Sequence, residues 1–248
     1  MGRRWMLVVS LGLLGLGCSH ARPVVAPVPA PRGAPAAASS LHWVRSSAEY
    51  RALCLQIYGL ATRQLEAVAV GHVRGSWAVI LDADETVLDN SDYQKQLSVD
   101  GHGYSEESWA AWVRRRQARE TPGARAFLAR VHALGGVIAI VTNRAEPLCE
   151  DTRANLRALG LGFDVVLCKT DAASSEKEPR FEGLIQGTSS AGLPPLEVVA
   201  YVGDNMRDFP GWTQKARELP EAELHEFGTR YFLLPNPMYG SWERNPER

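Results

Sequence analysis

The sequence predicts an α/β protein, with a doubly wound, mostly parallel sheet and a small, mainly helical cap. Three observations carry this expectation. Short apolar runs of strand length recur at Trp77 to Leu81, Val137 to Val141, Asp164 to Cys168, Val198 to Val202 and Tyr231 to Leu234. Between most of them lie stretches with helical periodicity, the alternation that gives parallel sheets with helical crossovers. Residues 89 to 121 break the pattern, being polar and aromatic, and are expected as a cap insertion. The chain has 248 residues, 45% hydrophobic and 22% charged, ordinary globular values for one sizeable domain. Its net charge of -1 gives no basic face for a nucleic acid polymer.

The elements follow in order. Arg3 and Arg4 precede an apolar run from Met6 to Leu16 and small residues up to Cys18, the form of an export signal over residues 1–18. Gly15-Leu16-Gly17-Cys18 resembles a bacterial lipobox, which would make Cys18 a lipidation site; a simple secretory signal is the other reading. Residues 19–40 are rich in Pro, Ala and Val and are expected as an extended tether, leaving 41–248 as the folded domain. Ser46 to Val70 reads as a helix, with Leu53, Ile57, Leu60, Ala61, Leu65 and Val68 at helical spacing and Ser46 or Ser47 as cap. Further helices are expected at Glu106 to Arg119, Pro122 to Leu134, Pro147 to Leu159, Glu176 to Gln186 and Phe209 to Arg217. Cys54, Cys149 and Cys168 fit no zinc spacing; buried free thiols are the favoured reading and one disulfide the alternative.

In a parallel sheet, ligands bind beyond the carboxyl ends of the strands, and there the reactive residue types collect. The first strand runs into Asp82-Ala83-Asp84-Glu85-Thr86-Val87-Leu88-Asp89-Asn90. Two carboxylates one residue apart can share a hard cation, or divide the work of nucleophile and proton donor. The second strand runs into Thr142-Asn143-Arg144, where a hydroxyl and an amide suit phosphate oxygens. Lys177 opens a helix and offers a point charge for a dianion. The fourth strand ends in Gly203-Asp204-Asn205-Met206-Arg207-Asp208-Phe209. Asp204 can complete a magnesium (Mg2+) site, and Asp208 can hold a metal-bound water, orient Lys177 or cap the next turn.

Taken together and in this order, Asp-x-Asp-x-Thr, Thr-Asn, Lys and Gly-Asp-Asn-x-x-Asp resemble the haloacid dehalogenase-like superfamily, whose fold is Rossmann-like. The longer strings, with Trp109-Ala-Ala-Trp112 and the closing Asn236-Pro-Met-Tyr239, resemble the class C acid phosphatases, which are bacterial outer-membrane lipoproteins. The resemblance implies Asp82 as nucleophile and metal ligand, and Asp84 as acid/base and metal ligand through its backbone carbonyl. It implies Asp204 as the remaining metal carboxylate, and Thr142 and Asn143 as the phosphate loop. Lys177 and Lys169 compete for the lysine position, and Lys177 matches better, although Gly187 to Pro195 looks like an insertion beside it. Trp109 and Tyr239 resemble aromatics of the leaving-group pocket, with Trp112 competing for the first role.

The expected activity is magnesium-dependent hydrolysis of small-molecule phosphomonoesters, including 5′-nucleotides and aryl phosphates, through an aspartyl-phosphate. An Asp84 that begins protonated favours acidic pH. The implied setting is the cell envelope, with the domain held to a membrane by lipid on Cys18; the oligomeric state is left open. The alternatives are a phosphotransferase, a narrow sugar-phosphate phosphatase, and a non-catalytic ligand-binding surface lipoprotein.

Overall fold

The computed structural model describes, apart from Gly2, residues 36–170 and 174–247. The export segment, Cys18 and the tether up to residue 35 lie outside the described residues. Among the described residues no helix is long and apolar enough to cross a membrane.

Five strands form one parallel sheet: β1 (Trp77–Leu81), β4 (Val137–Ala145), β5 (Val165–Lys169), β6 (Glu197–Gly203) and β7 (Tyr231–Leu233), in the order β5-β4-β1-β6-β7. All of its pairings are parallel, so the mixed sheet that "mostly parallel" allowed does not occur. Every residue of β1 is buried because both faces of the sheet are covered. Val79 and Leu81 pack on one side with Tyr58 and Leu65 of helix α2 (Ala48–Ala69) and Phe127 and Val131 of α5 (Ala124–Leu134). Ile80 points the opposite way, into a second cluster with Phe181 and Leu184 of α7 (Glu178–Gln186) and with Tyr201, Phe209 and Tyr231. Strand alternation therefore makes two cores from a run that reads as uniformly apolar.

The helix expected over Ser46 to Val70 forms as α2, and a separate helix precedes it. Helix α1 (Ala36–Ser46) comes first, overlapping the stretch read as tether, and Ser47 then caps α2 by accepting the Tyr50 amide at 3.0 Å. The cap is a pair of helices, α3 (Ser91–Asp100) and α4 (Glu106–Arg115), closed at its base by a short antiparallel ribbon of β2 (Leu88–Asp89) and β3 (Arg119–Glu120). Helix α4 stops four residues before the expected Arg119, because Arg116 turns left-handed at φ 56° with no glycine to announce it. No long helix forms over Phe209 to Arg217, where short 3-10 turns flank a break. Pro210 cannot donate a helical hydrogen bond and Gly211 takes φ +76°.

The reading of Cys149 and Cys168 as free thiols is corrected: the two form a disulfide, with Cα atoms 5.9 Å apart. Cys149 begins helix α6 (Cys149–Ala158), one 3-10 turn (Glu146–Leu148) after β4, and Cys168 lies on the neighbouring β5. The β4–α6–β5 crossover brings residues 19 apart in sequence side by side. Among the described residues Cys54, on the buried face of α2, is the free cysteine.

Candidate active site

The backbone delivers two carboxylates immediately beyond β1. Asp82 donates its amide to Val202 of β6 at 3.0 Å, extending the sheet by one residue. The chain then doubles back: the Leu88 amide bonds the Ala83 carbonyl at 2.8 Å and the Glu85 amide bonds the Leu88 carbonyl at 2.7 Å, with Glu85 at φ 53°. This loop brings Asp84 to face the strand ends while burying Glu85, whose carboxyl burial pushes well above its usual value.

Lys177, the residue before α7, is 3% exposed and joins two carboxylates at once. Its ammonium contacts Asp82 and lies 2.7 Å from Asp208. The other candidate, Lys169, sits at the end of β5 and bonds none of these carboxylates. The Gly187 to Pro195 segment leaves Lys177 in place. It folds back on α7, with Gly187 at φ +71° and the Leu196 amide bonding the Leu184 carbonyl at 3.2 Å.

Asp204 follows β6, accepting from Asn236 at 2.8 Å and from Thr86 at 3.4 Å. Asp208 serves two ends: one oxygen holds Lys177 and the other accepts the Asn205 amide at 2.9 Å. Gly203 is what allows this, since a Cβ there would lie 2.3 Å from that of Asp208.

Asp82, Asp204 and Asp208 bring their carboxylate oxygens within 4.8 Å of one another. Three acids against one lysine leave an excess of negative charge in a buried place. Burial pushes Asp82 up to about 7, against the pull of Lys177 and with repulsion from Asp208 and Asp84. Asp204 rises well above its usual value for the same reasons, burial first and then Asp208 and Asp82. Burial works against the charge on Lys177, yet Asp208 and Asp82 hold its pKa above the ordinary lysine value. Hard oxygen donors with uncompensated charge are the chemistry of a divalent cation such as Mg2+.

Thr142 and Asn143 lie in the tail of β4 beside this cluster. The Thr142 hydroxyl accepts the Arg144 amide at 3.2 Å. Asn143 is fastened on both sides, its Oδ1 accepting from Arg180 at 2.6 Å and its Nδ2 donating to the Ser175 carbonyl at 2.8 Å. The amide expected to meet phosphate is thus first a brace between β4 and the Lys177 loop.

A cavity of about 790 Å3 opens above Asp82, Asp84, Lys177 and Asp204, and both Trp109 and Tyr239 line it. Trp112 does not: it is buried, and its indole donates to Asn90 Oδ1 at 2.9 Å. Sequence reasoning passed over Asn90, Arg144, Arg180 and Asn236, which brace the site. The signal was present, since Asn90, Arg144 and Asn236 close or open the motif strings themselves, but nothing in a string tells which neighbours a side chain will meet.

The family model for the HAD superfamily, subfamily IIIB (acid phosphatase), matches residues 20–242, and the chain belongs to this family. Among solved structures, the class C acid phosphatase from Bacillus anthracis is similar at 30% identity over 84% of this chain and 86% of that one, with a TM-score of 0.73. A second structure of that enzyme, with tungstate bound, is similar at 29% identity over the same shares, with a TM-score of 0.72. The protein is a phosphomonoesterase. Enzymes of the family generally use a divalent metal, for which the Asp82–Asp204–Asp208 cluster is present.

Proposed function

We propose that this chain is a magnesium-dependent acid phosphatase that hydrolyses 5′-nucleotides and aryl phosphates through an aspartyl-phosphate on Asp82. The observation that carries the reading is the meeting of Asp82, Lys177 and two further carboxylates at the floor of an aromatic-walled cavity. The cavity's roughly 790 Å3 suits a nucleotide-sized ligand.

In the first step an Asp82 oxygen bonds to phosphorus as the ester P–O bond breaks, and Asp84 gives its proton to the departing oxygen. In the second, water loses a proton to Asp84 and bonds to phosphorus, and the acyl-phosphate bond breaks to return Asp82 and release phosphate. Lys177 keeps Asp82 oriented and offsets the charge gathering on the phosphoryl oxygens. Asp82, Asp204 and the Asp84 backbone carbonyl would hold Mg2+, with Asp208 behind them, and the ion supplies further positive charge beside the transferred group. The tungstate held by the Bacillus anthracis relative is a tetrahedral oxyanion of the same kind as phosphate. Trp109 and Tyr239 offer ring faces to a base or aryl group.

Asp82→Asn tests the reading. Turnover of a nucleotide and of an aryl phosphate should fall by orders of magnitude, and acid-quenched wild type should carry labelled phosphate that the variant lacks. Retention of more than about a tenth of the rate removes Asp82 from this role.

A further inference from the structure

Arg144 follows the two residues of the phosphate loop, and by position alone it reads as one more phosphate clamp. Its surroundings leave little of it for that use, although it borders the cavity. The side chain is 1% exposed. A guanidinium has five N–H donors, and four of these have partners. Nε bonds Asp84 Oδ1 at 3.0 Å, leaning toward Oδ2 at 3.3 Å. Nη2 bonds Asp84 Oδ1 at 2.8 Å and Asn90 Oδ1 at 3.2 Å, and Nη1 bonds Thr152 Oγ1 at 3.2 Å. The Trp109 ring closes over the group at 5.3 Å. Little of Arg144 is left to meet a substrate.

What Arg144 does is fix a carboxyl group asymmetrically. Asp84 Oδ1 receives Nε, Nη2 and also Asn90 Nδ2 at 2.8 Å. Oδ2 receives only the long, shared contact from Nε. Three donors saturate Oδ1, so the lone pairs open to other chemistry are those of Oδ2.

We propose that Arg144 is the positioning residue of the reaction, holding Asp84 so that Oδ2 is the oxygen that passes a proton to the leaving group and takes one from water. This rests on the reading of Asp84 as acid/base. It also gives the cap a task. Trp109 and, through Asn90, Trp112 belong to α4, and Thr152 belongs to α6. Cap and core thus close around Arg144 from opposite sides.

The test separates leaving groups, because p-nitrophenolate departs from an aryl phosphate without needing a proton and the alkoxide of glycerol phosphate does not. In the full chain with saturating magnesium, Arg144→Lys keeps the charge but loses the fork. It should lower kcat/KM for glycerol phosphate on the order of 100-fold, the effect of a misplaced catalytic group. The value for p-nitrophenyl phosphate should fall less than about threefold, and inhibition by inorganic phosphate should stay within about threefold, since a contact made only in one transition state leaves the rest intact. Equal losses on both substrates, or a tenfold weaker phosphate inhibition, overturn the proposal. Should Arg144→Lys fail to fold, Thr152→Val decides, because the Thr152 hydroxyl meets Arg144 only at Nη1 and otherwise bonds the Leu148 carbonyl of its own helix turn. A selective loss on glycerol phosphate supports the proposal and none overturns it. Asp84→Asn keeps the two readings apart. If it shows no selective loss, the acid/base reading itself fails; if it does and the Arg144 and Thr152 variants do not, only the positioning proposal falls.

Discussion

Removing magnesium should invert the way this protein's stability depends on pH. Asp82 is buried, and its carboxyl is pushed from an ordinary 3.8 up to about 7. Between those two values the folded chain holds a proton that the unfolded chain has released. Stability therefore falls as pH rises through that window, by roughly 1 kcal/mol per pH unit for each such carboxylate. Asp204, also raised by burial, acts with the same sign. From pH 5.5 to 7.5 the loss from Asp82 alone is on the order of 2 kcal/mol, a fall in melting temperature of about 5 °C for a domain of this size. A divalent cation binds the ionised carboxylates and so stabilises more at pH 7.5 than at pH 5.5. Thermal melts of wild type and Asp82→Asn, in chelator and in excess magnesium, measure all of this. Chelated wild type should melt higher at pH 5.5, Asp82→Asn should lose part of that slope, and magnesium should flatten or reverse it. A chelated protein that gains stability steadily up to pH 7.5, or a magnesium effect equal at the two pH values, would refute the charge accounting given for the cluster.

Two further outcomes are expected. Tyr239→Ala should lower kcat/KM for 5′-nucleotides by about tenfold or more, one stacking partner's worth, and leave glycerol phosphate nearly untouched; equal losses would make Tyr239 structural. Lipidated through Cys18, the wild-type protein should sediment with membranes and Cys18→Ser should not, whereas a wild type found wholly in the soluble fraction refutes the anchor.

The strand ends were legible because a parallel sheet obliges its chemistry to sit there. The reading of β1 matches the strand residue for residue, since five consecutive apolar residues followed by acids admit little else. Asp82, Asp84, Lys177 and Asp204 come to one cavity from residues far apart in sequence, as the ordered motifs required. Where the reading failed, the deciding force was tertiary. Helix α3 has weak amphipathic contrast and is held by neighbours, among them Arg45 of α1, which bonds Ser91 at 3.0 Å and Asp92 at 2.7 Å. The pairing of Cys149 with Cys168 depends on a crossover that spacing does not reveal. Arg144 has the same difficulty in another form: its side chain is held by Asp84, Asn90, Thr152 and Trp109, none adjacent to it in the chain.

The way α4 is fastened bears on how a substrate gets in and out. Its base is stitched by the β2–β3 ribbon, its flank by the Arg116–Asp151 ion pair at 2.8 Å, and its inner face by the indole of Trp112 on Asn90. A hinged cover would have to break these together, and with them the seat of Arg144. The cavity is therefore a fixed doorway rather than a door, bordered by the α3–α4 connection at His102 and Tyr104 on one side and by Met238 to Ser241 on the other. Selection among esters then falls to the width and lining of that opening.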